Sequence, residues 1–376
     1  MPGLPRRAAA LLALAGSLAL PRALQAALPA PLAEDVRQVR AVGPEGQGHA
    51  AASPAGRRLA LAEPAHLPDL LAAMDGANDY ALNWLRAAVE NVAGRAGRQL
   101  PVPGLTAFLA DRRHHPRARR LAYELLRTAD PAGAARLLPG FLDDPANELR
   151  RDAVQQLADQ ARETAGRDQP AARATLRQAL ASARDVDQIE ALARQLGDLG
   201  DKVDLRQTLG WVTRWKLAGP FDNTGGAGFD RVFPPEQATD PDAEMDGKTG
   251  RVKWRDHETR HDYGLVDFNQ PYTPLKGVTG YALAEFWSDA ARPAEIRLGC
   301  KNGWKVWLNG RLLFGRDEYH RGAEIDQYRM AAPLQAGRNV ILVKCCQNEQ
   351  TEDWTKEGEF QLRVTDAQGA PIRSTR

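Results

Sequence analysis

The feature that most constrains the fold is a change in the hydrophobic pattern near residue 205. Before it, the sequence is rich in Ala, Leu and Arg, which favour helix. After it, Val, Trp, Phe and Gly are frequent, FQLRV (360–364) alternates apolar and polar residues, and VILVKC (340–345) is almost continuously apolar, as in strands. Because helix and strand signals are segregated, the sequence predicts an all-α part followed by an all-β part rather than an α/β fold.

The helical half contains an internal repeat. GLTAFLADRRHHPRARRLAYELL (104–126) aligns with LLPGFLDDPANELRRDAVQQL (137–157), and Arg119 and Ala122 fall on Arg150 and Ala153. A helix pair that recurs at a period of roughly 30 to 35 residues is typical of an α-solenoid. The unit resembles HEAT repeats, with similar pairs at about 66–94 and 171–198. The resemblance implies a HEAT-like α-solenoid over 66–205 that binds a protein partner.

The N-terminus predicts export. Arg6 and Arg7 precede the apolar run AAALLALAGSLAL (8–20) and an Ala-rich stretch, the pattern of a secretory signal peptide, which we place at 1–26. The alternative is an uncleaved membrane anchor. The Pro- and Gly-containing stretch 27–65 indicates a disordered linker. We therefore expect a periplasmic or extracellular protein with no integral membrane segment after cleavage.

Charge and cysteine content narrow the range of partners. The net charge is +2, from 50 basic and 48 acidic side chains, which gives no field for capturing a polyanion, so nucleic acid is not expected as a partner. The cysteines are Cys300, Cys345 and Cys346. Because neighbours on a strand point to opposite faces, only one of Cys345 and Cys346 can reach Cys300.

The stretch KNGWKVWLNGRLLF (301–314) predicts a hairpin, since Asn309-Gly310 is a strong type I′ turn signal. A two-residue turn places Leu308 opposite Arg311, Trp307 opposite Leu312 and Val306 opposite Leu313. In that register Trp304 and Trp307 point to opposite faces of the sheet and cannot form one stacking platform. The Trp304 face is predicted to be core. The Trp307 face has two interpretations, a sugar-stacking patch or a surface covered by the protein's own chain.

KVWLNGRLLF, PLQAGRNVILVKC and EFQLRVTDAQG are similar to motifs of the galactose-binding-like jelly roll, as in the sugar-binding domain of β-galactosidase-type glycosidases. The resemblance covers about 278–368 and rests on the turns at Gly310 and Gly337. It implies an antiparallel β-sandwich (jelly roll) over 207–372. Such domains bind carbohydrate, bind nothing known, or brace a catalytic domain, and the resemblance assigns no ligand residue.

Two polar stretches, RDEYHRGAEIDQY (316–328) and QNEQTEDW (347–354), follow strands and lie where binding sites concentrate. Carboxylates, amides and Arg hydrogen-bond sugar hydroxyls, and aromatic rings stack on sugars. The alternative is that these side chains tie the loops together, for instance Arg321 to Asp326. The candidate ligand-binding residues are Tyr319, His320, Arg321, Asp326, Gln347, Asn348, Glu349, Trp354 and Trp307.

No cofactor, zinc site or catalytic constellation is expected, because nucleophile motifs and clustered Cys or His ligands are missing from the sequence. DPDAEMDG (240–247) carries carboxylates at alternate positions, and a structural calcium ion with Asp222, Asn223 or Asp230 stays open. The sequence therefore predicts an exported, non-catalytic binding protein, with a helical part for a protein partner and a β part for a glycan. The alternatives are a purely structural scaffold and a glycoside-processing enzyme.

Overall fold

The computed structural model describes residues 28–238, 240–272 and 275–376. Helices fill the N-terminal half and antiparallel sheets the C-terminal half, which confirms the predicted order. The chain divides into two compact units, Met1–Arg136 and Leu137–Arg376, so the predicted boundary near residue 206 is a change from helix to strand inside the second unit. The predicted signal peptide lies outside the described residues. In the described ranges no helix is both long and apolar enough to cross a bilayer.

From residue 28 to residue 137 the chain is helical wherever it is regular. Its helices are α1 (Ala30–Arg40), α2 (His49–Leu59), α3 (Leu67–Ala72), α4 (Asp79–Ala96), α5 (Val102–Ala110), α6 (Pro116–Ala129) and α7 (Pro131–Leu137). Asn78 caps α4 by accepting a hydrogen bond from the backbone N–H of Ala81. The prediction of a disordered linker over 27–65 is wrong for its described part. Val36 and Val39 of α1 and Leu59 of α2 are buried at helical spacing, and the prolines and glycines lie mainly at the helix ends.

The internal repeat has a structural counterpart in two buried arginines. Arg119, fully buried on α6, donates from Nη1 to the carbonyl oxygens of Leu109 (2.8 Å) and Asp111 (2.7 Å). The matching residue, Arg150, is 2% exposed and donates from Nη1 to the carbonyl oxygen of Asp144 (2.7 Å), the match of Asp111. Each arginine satisfies a carbonyl at the end of the preceding helical segment, which locks the two segments of its repeat together.

The second unit begins with four helices: α8 (Asn147–Ala165), α9 (Gln169–Ser182), α10 (Val186–Asp198) and α11 (Leu205–Leu209). Asp168 and Asp204 cap α9 and α11 by accepting hydrogen bonds from Ala171 and Gln207. Their apolar faces form one core with Trp211, and Tyr263 and Ile325 from the β part pack against it. Helices and sheets of this unit therefore share packing.

The strands and short helices that follow are β1 (Arg214–Asp222), α12 (Pro234–Gln237), β2 (Glu244–Asp246), β3 (Arg251–Lys253), β4 (Arg255–Glu258), β5 (Val266–Asp267), α13 (Asn269–Tyr272), β6 (Val278–Ser288), β7 (Glu295–Cys300), β8 (Gly303–Leu308), β9 (Arg311–Arg316), β10 (Tyr328–Ala331), β11 (Gly337–Gln347) and β12 (Glu359–Thr365). A six-stranded sheet has the order β4-β1-β6-β11-β8-β9, a four-stranded sheet β10-β7-β12-β5, and β2 pairs with β3. Apolar residues of the two larger sheets form a common core.

The hairpin β8–β9 turns at Asn309 and Gly310, whose φ angles of 52° and 78° confirm the predicted turn. Leu308 lies opposite Arg311 and Trp307 opposite Leu312, as predicted. The predicted pairing beyond that is wrong, because the register shifts between Val306 and Trp307 and places Val306 opposite Phe314. The two tryptophans do point to opposite faces, Trp304 into the core between the sheets and Trp307 into a separate cluster.

Candidate functional site

The two polar stretches predicted to form a site, 316–328 and 347–354, do meet. They occupy the loops 317–327 and 348–358 of the structure. His320 Nε2 lies 3.0 Å from Asn348 Oδ1, and the His320 ring meets Trp354 edge to face with 5.2 Å between ring centres. Trp354 is 59% exposed. Asn348 Nδ2 donates to Gln350 Oε1 over 3.0 Å. We call His320, Asn348, Gln350 and Trp354 the Trp354 patch.

A third loop, after β1, closes on the same end of the sheets. Asn223 is buried and donates from Nδ2 to the hydroxyl of Tyr319 (3.1 Å) and to the carbonyl of Gln347 (2.9 Å). Burial raises the pKa of Tyr319, so its hydroxyl stays protonated at neutral pH. The Glu349 carboxylate accepts a hydrogen bond from the backbone of Gly225. Tyr319 and Glu349 therefore connect loops.

Gln347 and Arg321, two further candidate ligand-binding residues, have different surroundings. Gln347 is 4% exposed and donates from Nε2 to the carbonyl oxygens of Thr355 (2.8 Å) and Glu357 (3.2 Å). The Arg321 side chain is 69% exposed, and its Nε lies 3.8 Å from Glu318 rather than beside Asp326, the partner considered from the sequence. Gln347 therefore holds the loop after β11 together, whereas Arg321 is largely exposed.

Asp326 belongs to a buried ion cluster rather than to the surface formed by the polar loops. Its carboxylate accepts from Arg363 Nε (2.7 Å) and from Arg297 Nη1 (2.9 Å), and both arginine side chains are at most 6% exposed. Burial by itself raises the pKa of Asp326, but the hydrogen bonds and charges of the two arginines outweigh it, so the pKa lies below its usual value. Arg363 Nη1 also donates to the carbonyl of Leu209, which ties this cluster to α11.

Trp307 is 8% exposed, which excludes it as an open stacking platform and favours the alternative of a face covered by the protein's own chain. The cover is the segment after β1: Phe221, Phe233, Met245, Val252 and Trp254 pack with Trp307, Leu342 and Tyr281. Lys344 of β11 holds this segment on the sheet. Its ammonium group is fully buried and donates to the carbonyls of Phe229 (2.9 Å) and Arg231 (2.8 Å) and to the Glu236 carboxylate (2.8 Å).

The carboxylates considered for calcium have lysine partners. Lys248 Nζ lies 3.0 Å from Asp222 Oδ1, and Lys305 Nζ lies 3.4 Å from Asp230 Oδ1. The Thr224 hydroxyl donates to Asp222, and with Lys248 it lowers the pKa of that carboxyl to about 2. Among the described residues, no group of three or more His, Cys, Asp or Glu side chains is placed to hold a metal ion.

Sequence reasoning missed a cleft of about 450 Å³ where α11, β1, β4, β6 and the C-terminal residues meet. We call it the arginine cleft. Its walls contain four arginines and three carboxylates besides aromatic and backbone groups: Arg206, Arg214, Arg373, Arg376, Asp204, Glu258, Glu285, Trp211 and Phe286. An adjoining trough of about 320 Å³ shares Arg214, Glu285 and Arg376 and adds Trp287 and Arg338.

Some charges of the arginine cleft are already paired. Glu285 lies 2.8 Å from Arg338, and the guanidinium of Arg376 lies 3.8 Å from the ring centre of Trp287. Arg214 and Glu258 are exposed and stand opposite each other on β1 and β4. Both charged side chains therefore face solvent at the cleft, where a ligand can reach them.

One buried donor lies in the wall of the same cleft. Trp211 is 7% exposed, and among the described residues its indole N–H has no hydrogen-bond partner. Its nitrogen atom exposes less than 1 Å² to solvent, so it is an unsatisfied group of the packed wall and not a donor open to the cleft. The forked guanidinium groups and the carboxylates of the cleft can hydrogen-bond a ligand rich in hydroxyl groups.

Comparison with known proteins assigns no family. No protein-family model matches this chain, and no curated protein matches it. Solved structures similar to parts of it include an anti-sigma factor domain-containing protein from Clostridium clariflavum (13% identity, TM-score 0.25, 43% of this chain and 45% of that one). Others are a β-glucosidase from Kluyveromyces marxianus in complex with glucose (14%, 0.21, 40% and 15%) and a GH31 α-xylosidase from Xanthomonas citri (10%, 0.23, 42% and 18%). This chain spans less than half the length of each, and at these TM-scores the likeness carries no argument.

Proposed function

We propose that this chain is an exported, non-catalytic binding protein whose β part binds a saccharide in the arginine cleft and whose helical part binds a protein partner. The observation that carries the proposal is the cleft itself, about 450 Å³ in volume and lined by guanidinium, carboxylate and indole groups. Pockets of this size with a few converging polar groups are the usual form of ligand sites. A saccharide is the ligand class because these side chains hydrogen-bond hydroxyl groups.

We also propose a HEAT-like repeat in the helical part and a jelly-roll sandwich in the β part. The equivalent hydrogen bonds of Arg119 and Arg150 support a HEAT-like repeat, and the core common to the two larger sheets supports a jelly-roll sandwich. In the helical part, a surface cleft of about 360 Å³ lined by His49, Tyr80 and Trp84 supports a protein partner. Exposed aromatic side chains of this kind anchor protein interfaces.

The proposed ligand preference follows from the charges. The side chains that line the arginine cleft include four guanidinium groups and three carboxylates, so a sugar that carries a carboxylate gains a charge-assisted hydrogen bond. We therefore expect acidic saccharides to bind more tightly than neutral ones, and the difference to shrink as the salt concentration rises.

The test is a glycan array with neutral and acidic saccharides, probed with the full chain and three variants. Arg214→Ala removes an exposed guanidinium group of the cleft, and we expect it to weaken binding roughly 10- to 100-fold, the effect of losing one charge-assisted hydrogen bond. The matched control is Arg311→Ala, an exposed arginine on β9 at the other edge of the same sheet, which leaves binding unchanged. Trp354→Ala also leaves it unchanged.

A purely structural scaffold is the second candidate function. It is supported by the mutual hydrogen bonds of the polar loops, which leave few groups for a ligand at the Trp354 patch. If the folded full chain binds no saccharide on the array, this candidate is favoured. If Trp354→Ala abolishes binding and Arg214→Ala leaves it intact, the saccharide binds at the Trp354 patch instead.

A further inference from the structure

Two buried thiols face each other across the common core of the two sheets. Cys300 ends β7 in the four-stranded sheet, and Cys345 lies on β11 in the six-stranded sheet. Their Sγ atoms are 3.9 Å apart, and the residues are 1% and 4% exposed. All three cysteines are free thiols in this structure.

We propose that Cys300 and Cys345 form a disulfide that joins the two sheets when the protein folds under oxidising conditions. A disulfide needs the sulfur atoms about 2.05 Å apart, so the pair has to close by roughly 2 Å, a distance within reach of side-chain rotation and small backbone shifts. The bond would link residues 45 positions apart, in strands of different sheets.

The geometry also selects the partner. Cys346 follows Cys345 on β11 and points to the opposite face of its sheet, where the Thr279 hydroxyl donates to its sulfur over 3.4 Å. Cys346 is fully buried there, on the far side of the six-stranded sheet from Cys300. A disulfide between Cys300 and Cys346 would require β11 to slip by one residue, which would turn its whole apolar face away from the core.

The reaction requires a disulfide-bearing oxidant, either a small-molecule disulfide or a protein disulfide. One cysteine thiolate attacks the oxidant and releases one of its two sulfurs as a thiol, and the second cysteine then attacks the mixed disulfide and releases the other. The two cysteines lose two protons and two electrons, and the oxidant takes them up as two thiols. The hydrogen bond with Cys300 and burial raise the pKa of the Cys345 thiol, so attack occurs during folding, before the core closes. The export proposed above would place the chain among such oxidants.

The cross-link is expected to stabilise the second unit. It closes a loop of about 45 residues and thereby restricts the unfolded chain. The entropy that the cross-link removes from the unfolded chain predicts, for a unit of this size, a Tm roughly 10 °C above that of the reduced protein.

The experiment refolds the full chain from urea with oxidised and reduced glutathione, or with dithiothreitol, and counts maleimide-reactive thiols after denaturation. We expect one reactive thiol, Cys346, in the oxidised sample and three in the reduced one. Cys345 and Cys346 fall on one tryptic peptide, so the bond is mapped by fragment ions and in Cys346→Ala, which keeps the disulfide and the higher Tm. Cys300→Ala loses both.

Three reactive thiols after oxidative refolding would overturn the proposal, as would a mapped bond between Cys346 and Cys300. The wild-type thiol count needs no variant, so it decides the question even where Cys300→Ala fails to fold. The outcome is independent of whether the arginine cleft binds a saccharide.

Discussion

Lys344→Met tests whether a single buried ammonium group holds the cover over Trp307. The Lys344 side chain is 0% exposed, and its three acceptors lie at 2.8 to 2.9 Å. Methionine fills a similar volume but leaves Glu236, 10% exposed, as an unpaired buried charge. Breaking a buried ion pair by removing one partner costs about 3–5 kcal/mol.

The matched control is Lys305→Met. Lys305 lies on the same face of the sheet and pairs with Asp230, but that carboxylate is 92% exposed, so we expect a loss of at most about 1 kcal/mol. In the double variant Lys344→Met/Glu236→Gln the orphaned charge is gone, while the introduced amide oxygen still accepts the hydrogen bond from the Tyr281 hydroxyl. We expect the double variant to recover at least about 1 kcal/mol relative to Lys344→Met.

The assay is urea unfolding of the full chain followed by tryptophan fluorescence, which reports mainly on the second unit because seven of the eight tryptophans lie there. With a slope of about 3 kcal/mol/M, a loss of about 4 kcal/mol lowers the midpoint by about 1.3 M. A midpoint for Lys344→Met within about 0.3 M of that for Lys305→Met would refute the reasoning, because the buried pair would then be worth no more than a surface one.

Three other substitutions probe candidate ligand residues of the β part. Asp326→Asn leaves two buried arginines with a weakened partner, and we expect a loss of about 3–5 kcal/mol at pH 7. The pKa of Asp326 in the folded protein lies below its value in the unfolded chain, which is near 4. The charged carboxylate therefore stabilises the fold above about pH 4, and this stabilisation is lost as the pH falls through the folded pKa. We expect the difference in urea midpoint between wild type and variant to shrink below about pH 4. A difference that stays constant from about pH 7 to about pH 2.5 would contradict this. In the same assay, Trp307→Ala should lower the free energy of unfolding by about 3–5 kcal/mol and Trp354→Ala by less than about 1 kcal/mol. Equal losses would mean that Trp307 is no more buried than Trp354.

What the sequence predicted well rests on local rules. Asn309-Gly310 demands positive φ at two successive residues, and from that turn the opposite orientation of Trp304 and Trp307 follows by alternation. The correspondence of Arg119 with Arg150 came from an internal repeat, and both residues make the same backbone contact. Both predictions depend only on residues close together in the sequence or on the repeat, and not on which distant segments pack against each other.

What the sequence missed depends on distant segments. The sequence left two interpretations for the Trp307 face because its cover arrives from residues 221–254, and Asp326 looked like a loop residue because its arginine partners lie on β7 and β12. The stretch 27–65 looked disordered because its prolines and glycines stood out, although its valines and leucine kept a helical spacing that could have been noticed. The arginine cleft draws on several segments spread along the second unit, and no local pattern could have brought them together.

The most direct measurement of the central claim is hydrogen–deuterium exchange of the full chain with and without the acidic saccharide that binds best on the array. We predict slower exchange in the segments that line the arginine cleft, around 204–214, 258–259, 285–287 and 373–376, and unchanged exchange in 317–327 and 348–358. Slower exchange confined to those two loops, or no change at a saturating concentration of saccharide, would contradict a saccharide site in the arginine cleft.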